Sequence, residues 1–319
     1  MYMHCFLKIR ILVFGAIAGA NRLHAHEGEP LAPHDLWTAW SWDPWIVIGL
    51  TVSAILYWRG VRPVWNDASP GRGVRRWELN CFVGGWIALF VGLVSPMHPA
   101  GEVLFSAHML QHEVLMLIAA PLLVLGRPLI PLLWGLPSFW RRKAGALSKP
   151  RWVRRTWDTL TSPFTAWWVH AVALWAWHVP FLFEATLESD LIHSLQHLSF
   201  LVSALLFWWA LLRRQDAGMG YGAAALYVFT TAVHSSILGA LLTFSSVVWY
   251  PAYSATTAAW GLTPLEDQQL GGLIMWVPGG IVFVIAGLAL IWAWMNESER
   301  EVMAREEAAR FAAATEGES

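Results

Sequence analysis

The chain has 319 residues, of which 56% are hydrophobic and only 13% charged, with a formal net charge of −1. Soluble domains carry about one quarter charged residues, so this is a membrane protein's composition, and the charge balance offers no basic surface for nucleic acid. Two cysteines, Cys5 and Cys81, form no C-x-x-C pair, which excludes a disulfide framework and a thiolate metal site. Any metal must be held by His, Met or carboxylate.

Residues 1–25 read as a secretory signal peptide. Lys8 and Arg10 precede an apolar run, Ile11 to Ala20, and Leu23-His24-Ala25 offers a cleavage site. An uncleaved anchor is the alternative. Residues 26–43 form an exported polar segment, 44–295 a transmembrane domain, and 296–319 a charged cytoplasmic tail. Within the domain, apolar segments fall at 44–61, 77–95, 104–125, 163–183, 191–212, 224–244 and 271–295. A span needs about 20 residues. The expected fold is therefore an all-α polytopic membrane protein, a bundle of seven transmembrane helices.

The basic residues orient it. Cytoplasmic loops collect Lys and Arg. The first connection holds Arg59, Arg62, Arg72, Arg75 and Arg76. The third holds Arg127, Arg141, Arg142, Lys143, Lys149, Arg151, Arg154 and Arg155. The fifth holds Arg213 and Arg214, and the tail holds Arg300, Arg305 and Arg310. The only others are Lys8, Arg10 and Arg22 in the leader. This alternation puts the N-terminus outside and the C-terminus in the cytoplasm. The Arg-rich third connection meets anionic membrane lipid.

The histidines lie on one side of that frame. His108-Met109-Leu110-Gln111-His112 and His193-Ser194-Leu195-Gln196-His197 both read H-x-L-Q-H, and both open long apolar segments. Two histidines four apart on a helix share a face, about 6 Å along the axis. At 1.5 Å per residue, His108 and His112 lie roughly 6 and 12 Å below the outer surface, and His193 and His197 roughly 3 and 9 Å. His178 falls near the outer end of the fourth segment, and His234 near the middle of the sixth. His98 falls in the outer loop. No histidine falls in a cytoplasmic loop. Ionisable groups in a membrane mark ion, proton or cofactor sites, so His108, His112, His193 and His197 are the expected metal ligands, with His178 and His234 as further ones. His170 alone reads as a helix–helix hydrogen-bonding partner.

Imidazole suits Cu, Zn, Fe and Ni, while thioether favours Cu(I). Met97, Met109, Met116 and Met275 are placed so that copper, as Cu(I), is the expected metal; haem and zinc are the alternatives. Met97 and His98 stand at the mouth of the site. Glu113, Glu184 and Asp267 are candidates to neutralise the ion or accept an imidazole N–H. Upstream, Pro96 precedes His108 and Pro180 precedes His193 at nearly equal spacing, so a parallel internal repeat is one reading and chance resemblance the other.

Several blocks carry a family resemblance: Phe105-Ser106-Ala107-His108-Met109-Leu110-Gln111-His112, Ala120 through Pro128, Trp177-His178-Val179-Pro180, Trp260 through Gly272 with its Asp267-Gln268-Gln269, and Met275-Trp276-Val277-Pro278-Gly279-Gly280. By these the chain resembles the CtaG family of cytochrome c oxidase assembly factors, the seven-helix bacterial caa3 type. The resemblance implies a non-enzymatic role in producing active haem–copper oxidase, with copper delivered to oxidase subunits or to a copper chaperone, in the bacterial plasma (inner) membrane. It supplies no ligand set, though it adds weight to Asp267 and Gln268. Three other functions fit the residues: a haem- or iron-binding redox protein, a transporter, and a metal-free assembly scaffold.

Overall fold

The computed structural model describes residues 31–68, 74–213 and 219–317, and among these all regular structure is helical. The expected signal peptide lies outside the described residues. We number the helices α1 (Pro44–Ala68), α2 (Arg76–Leu93), α3 (Met97–Val103), α4 (Phe105–Glu113), α5 (Ala120–Leu125), α6 (Leu129–Gly135), α7 (Ser138–Leu147), α8 (Arg151–Leu160), α9 (Pro163–Trp177), α10 (Pro180–Glu188), α11 (Asp190–Arg213), α12 (Tyr221–Thr243) and α13 (Pro264–Gly317). One π-helical turn, Val114–Ala119, joins α4 to α5.

Six stretches are long and apolar enough to cross a membrane: Pro44–Pro63, Arg76–Val103, Phe105–Leu125, Asp190–Arg213, Tyr221–Thr243 and Pro264–Ala308. These are the expected first, second, third, fifth, sixth and seventh segments. The fourth expected span, 163–183, is not one helix. It breaks after Trp177, and Val179 is extended ahead of Pro180. Pro180 has no N–H to continue the helical ladder and pushes the residue before it out of the α region. The remaining 15 residues of α9 reach about 22 Å, short of a bilayer's roughly 30 Å apolar core.

Helix starts follow local chemistry. Asp43 Oδ1 accepts the Trp45 N–H at 2.8 Å, ahead of Pro44 at the first position of α1. At the far end of the Phe105–Leu125 rod, the Arg213 guanidinium donates to the carbonyls of Val124 (2.7 Å) and Leu125 (3.1 Å). Both lie in the last turn of the helix, where carbonyls run short of intrahelical donors. Nearby, Arg127 pairs with the buried Glu78 at 3.3 Å.

α12 and α13 form the most extensive helix pair. They meet through glycines: a Cβ on Gly272 would lie 2.6 Å from the Thr243 nitrogen, and one on Gly239 would lie 2.9 Å from the Gly272 carbonyl oxygen. Small residues of this kind let helix backbones approach in membranes. The connection 244–263 folds into two 3-10 turns and carries Tyr250 and Tyr253 into the core beside Phe105 and Phe183. The expected tail continues α13 as helix, with an i,i+4 pair between Glu301 and Arg305.

Candidate metal centre

Both H-x-L-Q-H motifs begin helices, and the chain enters them alike. A short helix (α3 or α10) ends at an extended residue, Leu104 or Ser189, and the motif helix follows at once. The two motifs sit side by side at the same end of the bundle. The start of α4 is fixed from α13. Asp267, fully buried, accepts the backbone N–H groups of Phe105 (2.7 Å) and Ser106 (3.1 Å), and also the Ser106 hydroxyl. Gln268 accepts the Trp249 N–H at 2.6 Å and donates to the Val247 carbonyl at 3.1 Å. Gln269 donates to the Ser245 carbonyl at 3.0 Å. The Asp-Gln-Gln triplet thus clamps the origin of α4 and the 244–263 connection to α13. Asp267 is engaged with backbone groups and Ser106, and no imidazole N–H is among its partners.

Five imidazoles gather at this end: His98, His108, His112, His193 and His197. Neighbouring rings stand 4.4 to 5.9 Å apart, centroid to centroid. They form two trios, His98/His193/His197 and His108/His112/His197, and within each the three ligand atoms lie within 4.8 Å of one another. His197 belongs to both. All are buried except His98, which is partly buried. Neither ring nitrogen of His112 has a hydrogen-bond partner, and neither does Nε2 of His193 or His197.

The glutamines of the two motifs brace histidines on other helices. Gln111 Nε2 donates to the Gly92 carbonyl (2.7 Å) and to His98 Nδ1 (2.9 Å). Gln196 Oε1 lies 3.1 Å from His108 Nε2. His108 Nδ1 lies 3.3 Å from the Gly101 carbonyl and 3.2 Å from the Tyr253 hydroxyl, which itself donates to Gly101 at 2.9 Å. A metal at either nitrogen of His108 displaces one of these contacts and leaves the other to hold the ring, as bound imidazoles require.

The remaining sequence-predicted residues are distributed differently. His98 is not in a loop but on α3, where Met97 opens the helix and His98 turns inward to join the outer trio. His178 closes α9; its Nδ1 donates to the Leu174 carbonyl at 2.7 Å and its Nε2 lies 3.4 Å from Met109 Sδ. It therefore pairs with Met109 and stands outside both trios. His234, on α12, lies against Trp167 of α9 and stands outside both trios. Glu113 Oε2 is buried without a partner and lines a separate cavity with Met116, Met275, His170 and Ser235, apart from the five clustered imidazoles. His170 Nδ1 lies 3.2 Å from Ser203 Oγ on α11, a helix–helix hydrogen bond. Glu184 accepts the Ala252 N–H at 3.3 Å. His98, Gln111, Gln196 and Tyr253 are the site residues that spacing alone underweights. The glutamines had one signal, their identical place in both motifs.

This fold and site define a multi-pass helical membrane protein with a clustered imidazole centre where its motif helices begin. Over residues 55–297 the chain matches the family described as cytochrome c oxidase caa3 assembly factor (Caa3_CtaG), and it belongs to that family. It is also similar to proteins described as uncharacterized in Mycobacterium bovis and Mycobacterium tuberculosis, each 29% identical over 85% of this chain and 41% of theirs. A third, from Mycobacterium leprae, is 28% identical over 82% of this chain and 40% of its own. The chain thus spans about two fifths of the length of these relatives. No solved structure matches it.

Proposed function

We propose that this caa3 assembly factor binds copper at the five-histidine centre and passes it to an oxidase subunit or a copper chaperone. The observation that carries this reading is the pair of histidine trios sharing His197, each with its ligand atoms within 4.8 Å. Neutral imidazole takes Cu, Zn, Fe or Ni. Of these, a haem–copper oxidase contains copper and iron, and its iron is carried in haem, so copper is the one needed as a bare ion. Rings at contact distance leave room for an ion but not for a macrocycle, which favours copper over haem.

The distribution of Lys and Arg supports an orientation with the N-terminus and the imidazoles outside. In that arrangement α9 and α10 together make a broken seventh crossing of the plasma membrane. The two trios then act in series. An ion arriving at His98, His193 and His197 exchanges two ligands and settles at His108, His112 and His197. An ion that keeps one ligand while replacing the others is held yet releasable, which a carrier requires.

The test is metal content with an absorption spectrum on detergent-purified protein loaded with copper, comparing wild type with H112A/H197A. The expected result is copper in the wild type, fewer equivalents of it in the variant, and no haem band. A haem band overturns the reading in favour of a cytochrome. Absence of copper in the loaded wild type leaves a scaffold.

A further inference from the structure

A second group of metal-binding atoms lies deeper, across α4 from the imidazole centre. Glu113, Met116, Leu117, His170, Ser235 and Met275 are among the side chains around a cavity of about 20 Å³, room for one water-sized occupant. Gly279 shapes its wall: a Cβ there would lie 2.7 Å from Glu113 Oε2, so the glycine leaves space for the carboxylate. That oxygen is buried and has no hydrogen-bond partner. Both thioethers are buried as well, Met116 at 4% exposure and Met275 at 6%.

Both backbone walls are irregular. Met116 sits in the π-helical turn Val114–Ala119, a feature that recurs at functional sites. On the other side Pro278, inside α13, has no N–H to give the carbonyl four residues earlier. Each alters the regular helical hydrogen bonding beside the same cavity.

We propose that this cavity is a second metal site, built for one soft monovalent cation, Cu(I). The donors select it. Two thioethers and an imidazole suit Cu(I) and are poor ligands for Mg²⁺ or Ca²⁺. A lone carboxylate at this depth is stable only when its charge is neutralised, and one monovalent ion does that with no charge left over. A divalent ion would leave a net positive charge in an apolar setting. Met116 and Met275 are the selecting ligands, Glu113 is the counter-charge, and His170 holds its other contact to Ser203 while facing the ion.

This site does not depend on the histidine trios, and the experiment separates the two. Detergent-purified full-length protein is titrated with Cu(I) against a competing chromophoric chelator, as wild type, M116L/M275L and H112A/H197A. The leucines nearly conserve volume. Wild type is expected to bind more Cu(I) than either variant. M116L/M275L is expected to lose about one equivalent. H112A/H197A is expected to keep that equivalent, with sulfur ligands visible by X-ray absorption. Equal stoichiometry in wild type and M116L/M275L overturns the deep site and leaves the histidine site standing. Copper in H112A/H197A without sulfur ligands also overturns it. Loss confined to M116L/M275L leaves the deep site and removes the histidine one. Thermal melts of both variants confirm that each is folded.

Discussion

Asp267 on α13 accepts the backbone N–H of Phe105 at 2.7 Å across 162 residues of sequence, and with its contacts to Ser106 it caps the first turn of α4. Everything that α4 presents to the site follows from that origin, since His108 comes one turn later and His112 a turn after that.

Removing the Asp267 carboxylate strands the Phe105 and Ser106 N–H groups inside the protein. Loss of a helix cap costs about 1 kcal/mol, up to 2 in the strongest cases. D267A is therefore expected to melt at lower temperature and to bind metal more weakly, because His108 and His112 lose their fixed origin. D267N keeps one acceptor oxygen and should fall between. Thermal melts in detergent check the first point and copper affinity the second. A D267A protein with unchanged melting and weakened copper would instead make Asp267 a direct partner of the ion.

The α12–α13 contact predicts a second effect. In G272V the new side chain starts 2.6 Å from the Thr243 nitrogen, and backbone cannot give way as a side-chain tip would. The helices must separate, at a cost of about 1–3 kcal/mol for overpacking. Because Asp267 and Gln268 lie just upstream on α13, the start of α4 should loosen with it. Hydrogen exchange at Phe105 and Ser106 should rise in G272V and stay low in a control such as I281V on an exposed face of α13.

Much of this was legible in the residues. Long apolar runs marked the six helices long and apolar enough to span, because in lipid a continuous hydrophobic stretch has few options besides helix. The i,i+4 histidines gave two faces of the site. Pro180 was visible too, yet the run around it was apolar enough to read as one span. What the sequence could not convey was anything set by distant partners. Asp267 looked like a metal-side carboxylate because its true partners are backbone groups far away in the chain. His98 lies between Pro96 and Pro99, a pattern that reads as loop, and only the packing of α3 beside α11 turns it inward. Glu113 follows His112 directly, but consecutive helical residues point about 100° apart, so the two serve different cavities.

Tyr250 predicts a pH response. It lies in the 244–263 connection, and its hydroxyl donates to the His178 carbonyl at 2.9 Å. Burial pushes its phenol pKa well up from the ordinary value. A raised folded pKa means that its contribution to stability is fully present below about pH 10, the ordinary tyrosine value, and is lost as pH rises through the higher folded value. Tyrosinate absorbance should show Tyr250 ionising only as the protein unfolds. Y250F should cost about 1 kcal/mol at neutral pH for the lost hydrogen bond and should flatten the alkaline decline in stability. Ionisation of Tyr250 together with exposed tyrosines would sink this account.

The shared ligand predicts an asymmetry among single histidine substitutions. H197A removes one ligand from each trio and leaves only pairs, so it should be the most damaging change, lowering copper affinity by well over tenfold. H98A and H108A each spare one complete trio. H108A leaves His98, His193 and His197 and should retain copper at the outer position. H98A leaves His108, His112 and His197 and should retain it at the inner one, but should load more slowly, because the outer trio is the receiving one. Equilibrium competition measures the first comparison, and stopped-flow loading from a copper–chelator complex the second. The double variant H98A/H108A leaves no intact trio and should resemble H197A. If instead all five single substitutions weaken binding equally, the ion sits at one position that uses every imidazole, and the two-step exchange is wrong.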